Sequence, residues 1–374
     1  MTTVVHPGRR PTPRLGTPLG TPPPGRLPAL RGLAPNWYAA VMGTAVVATA
    51  GAALPVPGAR PALAAVWAAS ALLLAALLTA RAGHWLYHRD QARAHLLDPA
   101  VAPFHGCLPM AQLAVGTAAL AVGGEVIGES AAVVLASVLI TTGTLSALVV
   151  AAGIPYLMVV RHRVAPGTAS PVWLLPVVAP MVAASSAPLL VPYLPEGAWR
   201  ATVLLGAGAL FGMSALATLL LLPLILSRLI HHGPLPLALT PALFLVLGPL
   251  GQSVTAAGNM AAADTPYAAA LAPLAVVHGV PVLGFALLWL AIAGAMTVRA
   301  LRRGMPFSLS WWAFTFPVGT CVTGAAGLAH RTGLTALTAV AAVLYGLLVA
   351  AWAVAAVRTA RGVVSGELLA APRR

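Results

Sequence analysis

Apolar residues run in long blocks along this chain, with short polar or charged breaks between them. Each block is about 17 to 25 residues, the length that crosses a bilayer core of about 30 Å as an α-helix. The pattern predicts ten membrane-spanning helices, at residues 36–54, 61–80, 104–122, 131–157, 172–190, 199–226, 237–258, 274–298, 308–329 and 334–357. The breaks include an Arg- and His-rich connection at 81–102, the acidic loop GGEVIGES, the basic RHRV and the turn His231-His232-Gly233-Pro234.

Within the blocks, helix-weakening residues alternate. Interior prolines stand in the third (Pro109), fifth (Pro176, Pro180), seventh (Pro249) and ninth (Pro317) spans, and the first carries Gly43-Thr44. The second, fourth and tenth are mostly uninterrupted Ala, Leu and Val, while Pro223 and Pro281 lie near an end of the sixth and eighth. Proline removes a backbone donor and clashes with the carbonyl one turn earlier, so a helix carrying it kinks or breaks. In hydrocarbon the freed groups cost several kcal/mol unless protein or pore water satisfies them, so weakened spans point inward. Transmembrane helices carry Pro and Gly more often than soluble ones in any case, but the alternation holds along the whole chain. It predicts an all-α integral membrane protein of five helical hairpins, odd-numbered helices forming an inner pore ring and even-numbered helices an outer ring.

Composition agrees: 59% of the 374 residues are hydrophobic and 7% charged, with a mean hydropathy of +0.91, far from a soluble domain. A net charge of +14 in a soluble chain would suggest nucleic acid, but here the arginines sort by side. Both tails fall on one side together with Arg81, Arg89, Arg93, Arg161, Arg163, Arg228, Arg299, Arg302 and Arg303, leaving Arg60, Arg200 and Arg331 opposite. The positive-inside rule then places both termini in the cytoplasm, as an even number of spans requires, with the cytoplasmic membrane as location and no nucleic-acid partner. Residues 1–34, rich in Pro, Gly, Thr and Arg, read as a disordered basic cytoplasmic tail, 35–358 as the transport domain and 359–374 as a short cytoplasmic tail. Cys107 and Cys321 lie in apolar spans and read as small hydrophobes without a disulfide framework.

All seven acids (Asp90, Asp98, Glu125, Glu129, Glu196, Asp264 and Glu367) fall in loops, tails or span ends. Proton-driven carriers commonly keep an ionisable group at membrane depth, and cation paths use carboxylate rings. The Asp pairs that hold magnesium in membrane prenyltransferases and the H-E-x-x-H of zinc proteases are absent, so no enzyme, metal or cofactor is predicted. His105 and His278 stand alone on their helices and read as satisfied interfacial side chains.

Neutral polar groups do recur at helical spacing. Gly248, Gln252, Thr255 and Asn259 form one stripe on the seventh span, thickened by Gly251 and Gly258; it fits a tight helix contact or a pore wall equally, and Pro249 favours the wall. On the ninth span Phe316 shares a face with Thr320, Thr323 and Gly327, whereas Phe314, about 200° away, faces Val318, Cys321, Ala325 and Leu328. Phe316 is then either a packed core ring or a plug in a narrow pore. Broken helices present partially positive N-termini, and no buried carboxylate repels anions, so an anion is the expected solute.

The stretches APNWYAAVMGTAVVA, FHGCLPMAQLAVG, SPVWLLPVVAPMVAA, LGPLGQS and SWWAFTFPVGT, on the five odd spans, resemble the tellurite-resistance and dicarboxylate transporter family. That family includes tellurite-resistance channel homologues, malate permeases, sulfite exporters and plant slow anion channels. The resemblance covers about 34–357 and implies ten-helix protomers with a central pore, assembled as homotrimers in membrane lipid. It implies that Phe316 is the pore gate, and by position Gly43, Thr44, Pro109, Pro176, Pro180, Gly248, Gln252, Thr255, Pro317, Thr320 and Thr323 are expected to line the pore. The chain departs from the family pattern at Ala45, where Gly is usual, and at His105 and Leu108, where an aromatic and a Pro are common; a histidine near a pore mouth would add pH dependence. The expected function is an anion channel for small inorganic anions or dicarboxylates such as malate. The alternatives are a proton-coupled exporter of sulfite, an oxyanion or a dicarboxylate, and a non-transporting scaffold or sensor.

Overall fold

The computed structural model describes residues 28–368, so most of the expected N-terminal tail and residues 369–374 lie outside the described residues. Those described are helical apart from turns and connections. The helices are α1 (Pro28–Arg31), α2 (Tyr38–Ala52), α3 (Arg60–Tyr87), α4 (Arg89–Leu97), α5 (Cys107–Ala118), α6 (Gly124–Ile127), α7 (Glu129–Val160), α8 (Leu174–Ser186), α9 (Ala198–His232), α10 (Leu247–Ala262), α11 (Ala268–Arg302), α12 (Phe316–Thr332) and α13 (Thr335–Val364). Nine helical segments among the described residues are long and apolar enough to cross a membrane, and α2, at 15 residues, is shorter than these.

Burial separates the segments into two kinds. In the apolar stretches of Pro171–Tyr193, Leu237–Ala262 and Leu309–Thr332, 78–83% of residues are buried, and 56% in Ala102–Ile127. For α3, α7, α9, α11 and α13 the share is only 22–33%. Helix α2 is buried along almost its whole length. The chain therefore alternates buried and surface helices.

The buried segments share a construction. Each opens as a 3-10 helix and continues as an α-helix: Pro35–Trp37 leads into α2, Ala102–Gly106 into α5, Pro171–Trp173 into α8, Leu237–Val246 into α10 and Leu309–Phe314 toward α12. Pro109, Pro176 and Pro249 are each the third residue of their α-helix, and Pro317 is the second of α12. The first four amides of an α-helix have no intrahelical acceptor, so proline loses nothing there. Its ring bars the α-turn that would run through it from upstream, and the chain before it tightens to 3-10. The expected weakness at Pro317 is thus a junction ahead of the proline rather than a kink at it. Surface helices carry Pro155, Pro223, Pro273 and Pro281 without a break, so position within the helix, and not proline itself, decides.

Surface helices donate side-chain hydrogen bonds to the backbone they cover. Trp67 Nε1 donates to the Val115 carbonyl at 3.2 Å, Ser214 Oγ to Val177 at 2.6 Å, and Trp289 Nε1 to Leu243, inside a 3-10 segment, at 2.9 Å. A side-chain donor left unpaired in hydrocarbon would be costly, so these polar groups on otherwise apolar helices turn inward onto carbonyls.

Helix α3 extends beyond the predicted 61–80 and carries Arg81 and His84 within it. Its end, α1 and α4 form a compact basic patch. Arg31 pairs with Asp90 at 2.7 Å, His84 Nδ1 donates to the Leu30 carbonyl at 2.7 Å, and the His84 and His95 rings stack at 5.5 Å, with His88 beside them. Burial pushes the His95 pKa down, His84 and Arg81 add to this, and Asp98 opposes it. A base with a depressed folded pKa docks fully above the ordinary histidine range of about 6.5 and loses that stability as pH falls through it. Amide hydrogen exchange of residues 89–97 is therefore expected to be faster at pH 5 than at pH 7.5. Equal protection at both values would contradict this.

Candidate functional site

Phe316, Thr320, Thr323, Gly327 and His330 recur every three or four positions on α12, and Gln252, Thr255 and Asn259 do so on α10. Both faces look onto one cavity of about 350 Å3. Val46 and Thr49 of α2, Ala114 and Thr117 of α5, and Val182 and Ser185 of α8 complete its wall. All five buried helices thus contribute to one space.

Glycines bring these helices close enough to share it. A Cβ on Gly251 would meet the backbone of Thr320 and Cys321, and one on Gly324 would meet Val254 and the Gly251 carbonyl, so α10 and α12 touch backbone to backbone. Above that contact the Thr255 and Thr323 hydroxyls bond at 2.7 Å. On the other flank a Cβ on Gly43 would strike Thr315, and one on Gly319 would strike Val46, which seats α2 against the start of α12.

One end of the cavity stops at Phe316, which is 4% exposed. Behind the ring lies a void of only about 10 Å3, among Met42, Met110, Leu174 and Pro317, and beyond it apolar side chains are packed. The ring therefore divides a polar space from a closed apolar one. Its backbone follows Thr315, at φ −99° and ψ −78°, whose hydroxyl donates to the Trp312 carbonyl at 2.6 Å. The preceding 3-10 segment is held by a stack in which the Arg358 guanidinium sits 5.0 Å over Trp311, and Trp311 meets Phe314 edge-on at 5.8 Å.

The other end of the cavity reaches His330, which is exposed. Among the described residues no carboxylate lines the space; near this end Arg331 donates to the Gly258 carbonyl, and Asp264 is paired with Arg200 at 2.5 Å. The wall therefore carries no negative charge, and arginines stand near its mouth.

A family model described as a voltage-dependent anion channel matches residues 32–360. The chain belongs to this family. It is the tellurite-resistance and dicarboxylate transporter family of the five motifs. Among its relatives, an uncharacterized transporter of Methanocaldococcus jannaschii is 25% identical over 346 residues, spanning 92% of this chain and 97% of the relative. The sulfite efflux pump SSU1 of Trichophyton rubrum is 27% identical over 308 residues, 79% and 81% of the two chains, and that of Arthroderma benhamiae matches over the same lengths. The protein is thus a multi-pass membrane member of the voltage-dependent anion channel family.

Of the residues expected to line a pore, the structure brings Gln252, Thr255, Phe316, Thr320 and Thr323 to the cavity, and Gly248 and Pro317 to the small void behind Phe316. Gly43 and Thr44 do not reach it. Gly43 is the close approach to Thr315, and the Thr44 hydroxyl donates to the Ala40 carbonyl at 2.7 Å and accepts from Trp352 Nε1 of a surface helix at 3.2 Å. Pro109, Pro176 and Pro180 also lie off the cavity, buried in α5 and α8, where they shape backbone rather than wall. Phe314 stands apart, packed edge-on against Phe244 at 4.8 Å. His105 Nε2 accepts from Arg81 at 2.9 Å and His278 bonds Ser253 Oγ at 3.0 Å, neither on the cavity. Not expected were Thr49, Thr117, Ser185 and His330; the last was available from spacing, since it extends the Phe316 stripe by one further step.

Proposed function

We propose that this family member conducts small anions, inorganic ions or dicarboxylates such as malate, across the cytoplasmic membrane through a pore within each protomer. The carrying observation is the cavity built by five buried helices, with no carboxylate among the described residues that line it and one aromatic ring at its end. On this reading α2, with the 3-10 turn before it, is the tenth span, the five buried helices form the inner ring, both termini are cytoplasmic and the assembly is a trimer. Phe316 is the gate: its ring separates the polar vestibule from the apolar half, and the closed packing behind it corresponds to a non-conducting state.

The test is flux of chloride, nitrate, sulfite and malate into proteoliposomes holding purified protein. Flux of at least one, down its gradient and without a proton gradient, is expected; none with any of the four would sink the reading. A second reading, sulfite efflux, is favoured by the names of the fungal relatives. Uphill sulfite accumulation driven by a pH gradient would select it, because a channel only equilibrates its solute.

A further inference from the structure

The vestibule wall carries six hydroxyls, and by composition alone it would present them to an anion. Their protons point elsewhere. Thr49 donates to Ala45 at 3.4 Å, Ser185 to Val182 at 2.8 Å, Thr320 to Pro317 at 2.7 Å and Thr323 to Thr320 at 3.0 Å. Thr117 donates to Ser186 Oγ at 2.8 Å, and Thr255 has Gly251 at 3.1 Å and Thr323 Oγ1 at 2.7 Å as acceptors. A hydroxyl has a single proton, so each of these groups shows the cavity lone pairs, which repel an anion.

Gln252 is different. It is 7% exposed and stands on the wall of the same cavity as Phe316. Its amide makes no hydrogen bond to any described residue, yet it is not sealed in protein, so it opens onto the cavity. An amide on a cavity wall with no protein partner keeps both of its protons free to donate to what enters the cavity. Asn259, two helical turns further out, has one amide proton on the Ser185 carbonyl at 2.7 Å and a second to spare, and His330 is at the mouth.

We infer that Gln252 is the specificity-determining contact for the transported anion, its NH2 donating to the ion where the vestibule meets the Phe316 ring. The assignment rests on the anion-transport reading above. Asn259 and His330 form the outer steps of a donor ladder leading to it, and the hydroxyls supply polarity without donors.

Nitrate and chloride flux in proteoliposomes tests this, with reconstituted amounts equalised. Gln252→Leu is expected to lower flux of both about tenfold, the scale of one hydrogen bond to a charged group, and to change their ratio. Gln252→Glu keeps the shape and so guards against misfolding as an explanation: it is expected to block flux at pH 8 and to regain it as the medium is acidified and the carboxyl protonates. Unchanged flux and ratio in Gln252→Leu, or flux in Gln252→Glu that does not vary with pH, would overturn the assignment. Either result beside a conducting wild type leaves the transport reading intact, whereas a wild type silent with chloride, nitrate, sulfite and malate alike would defeat that reading itself.

Discussion

Phe316→Ala is expected to raise anion flux at least about tenfold per mole of reconstituted protein, the factor that a barrier lowered by about 1.4 kcal/mol produces. Among the described residues the ring is the one side chain common to the vestibule of about 350 Å3 and the void of about 10 Å3 behind it, so truncation joins the two spaces. A core Phe→Ala change costs about 3–5 kcal/mol where the ring is enclosed on every side. Phe316 has a cavity along one face and gives up fewer contacts, so the variant is expected to fold. Phe314→Ala is the control: its ring packs edge-on against Phe244 and Trp311, away from the vestibule. That variant is expected to lose thermal stability without gaining flux. If Phe316→Ala folds and conducts no better than wild type, the ring is core packing, and the barrier lies deeper, at Met42 and Met110.

Phe316 and Phe314 show what could be read from the chain and what could not. Helical spacing alone separated the two rings, because α12 is regular from Phe316 onward and its polar residues share one face. The same arithmetic extended to His330 would have found the vestibule mouth. Thr44, expected at the pore by family position and not by spacing, instead turns its hydroxyl to Trp352 on a surface helix, because position in a motif does not fix which neighbour a side chain meets. The prolines signalled weak helices correctly but not their form. That form depends on proline standing in the first turn of an α-helix, and a helix start in an unbroken apolar run has no polar cap to mark it. Alternate burial of the spans was legible in the proline alternation, whereas the direction of each hydroxyl proton required coordinates.

The two glycines of GPLGQ make the same point as a measurable difference. Gly251→Ala is expected to be strongly destabilising and to abolish flux. Its Cβ would lie 2.5 Å from the Cys321 amide nitrogen, 2.5 Å from Thr320 Oγ1 and 2.6 Å from the Thr320 carbonyl carbon. Two of these are backbone atoms of α12, which cannot rotate away as a side chain can, so the helices must separate. Overpacking of this kind costs about 1–3 kcal/mol or more, and here it also pulls apart the Thr255 and Thr323 pair that closes the vestibule wall. Gly248, three residues earlier on the same helix, has nothing within 4 Å of its Cβ position. Gly248→Ala is expected to keep its unfolding midpoint, and its methyl would enter the void beside Phe316, lowering flux while the fold survives. Thermal unfolding of the detergent-solubilised variants, followed by the fraction that stays monodisperse, separates the two. Equal midpoints for Gly251→Ala and Gly248→Ala would mean that α10 and α12 have slack at their crossing, and a ring held between slack helices could not define a gate.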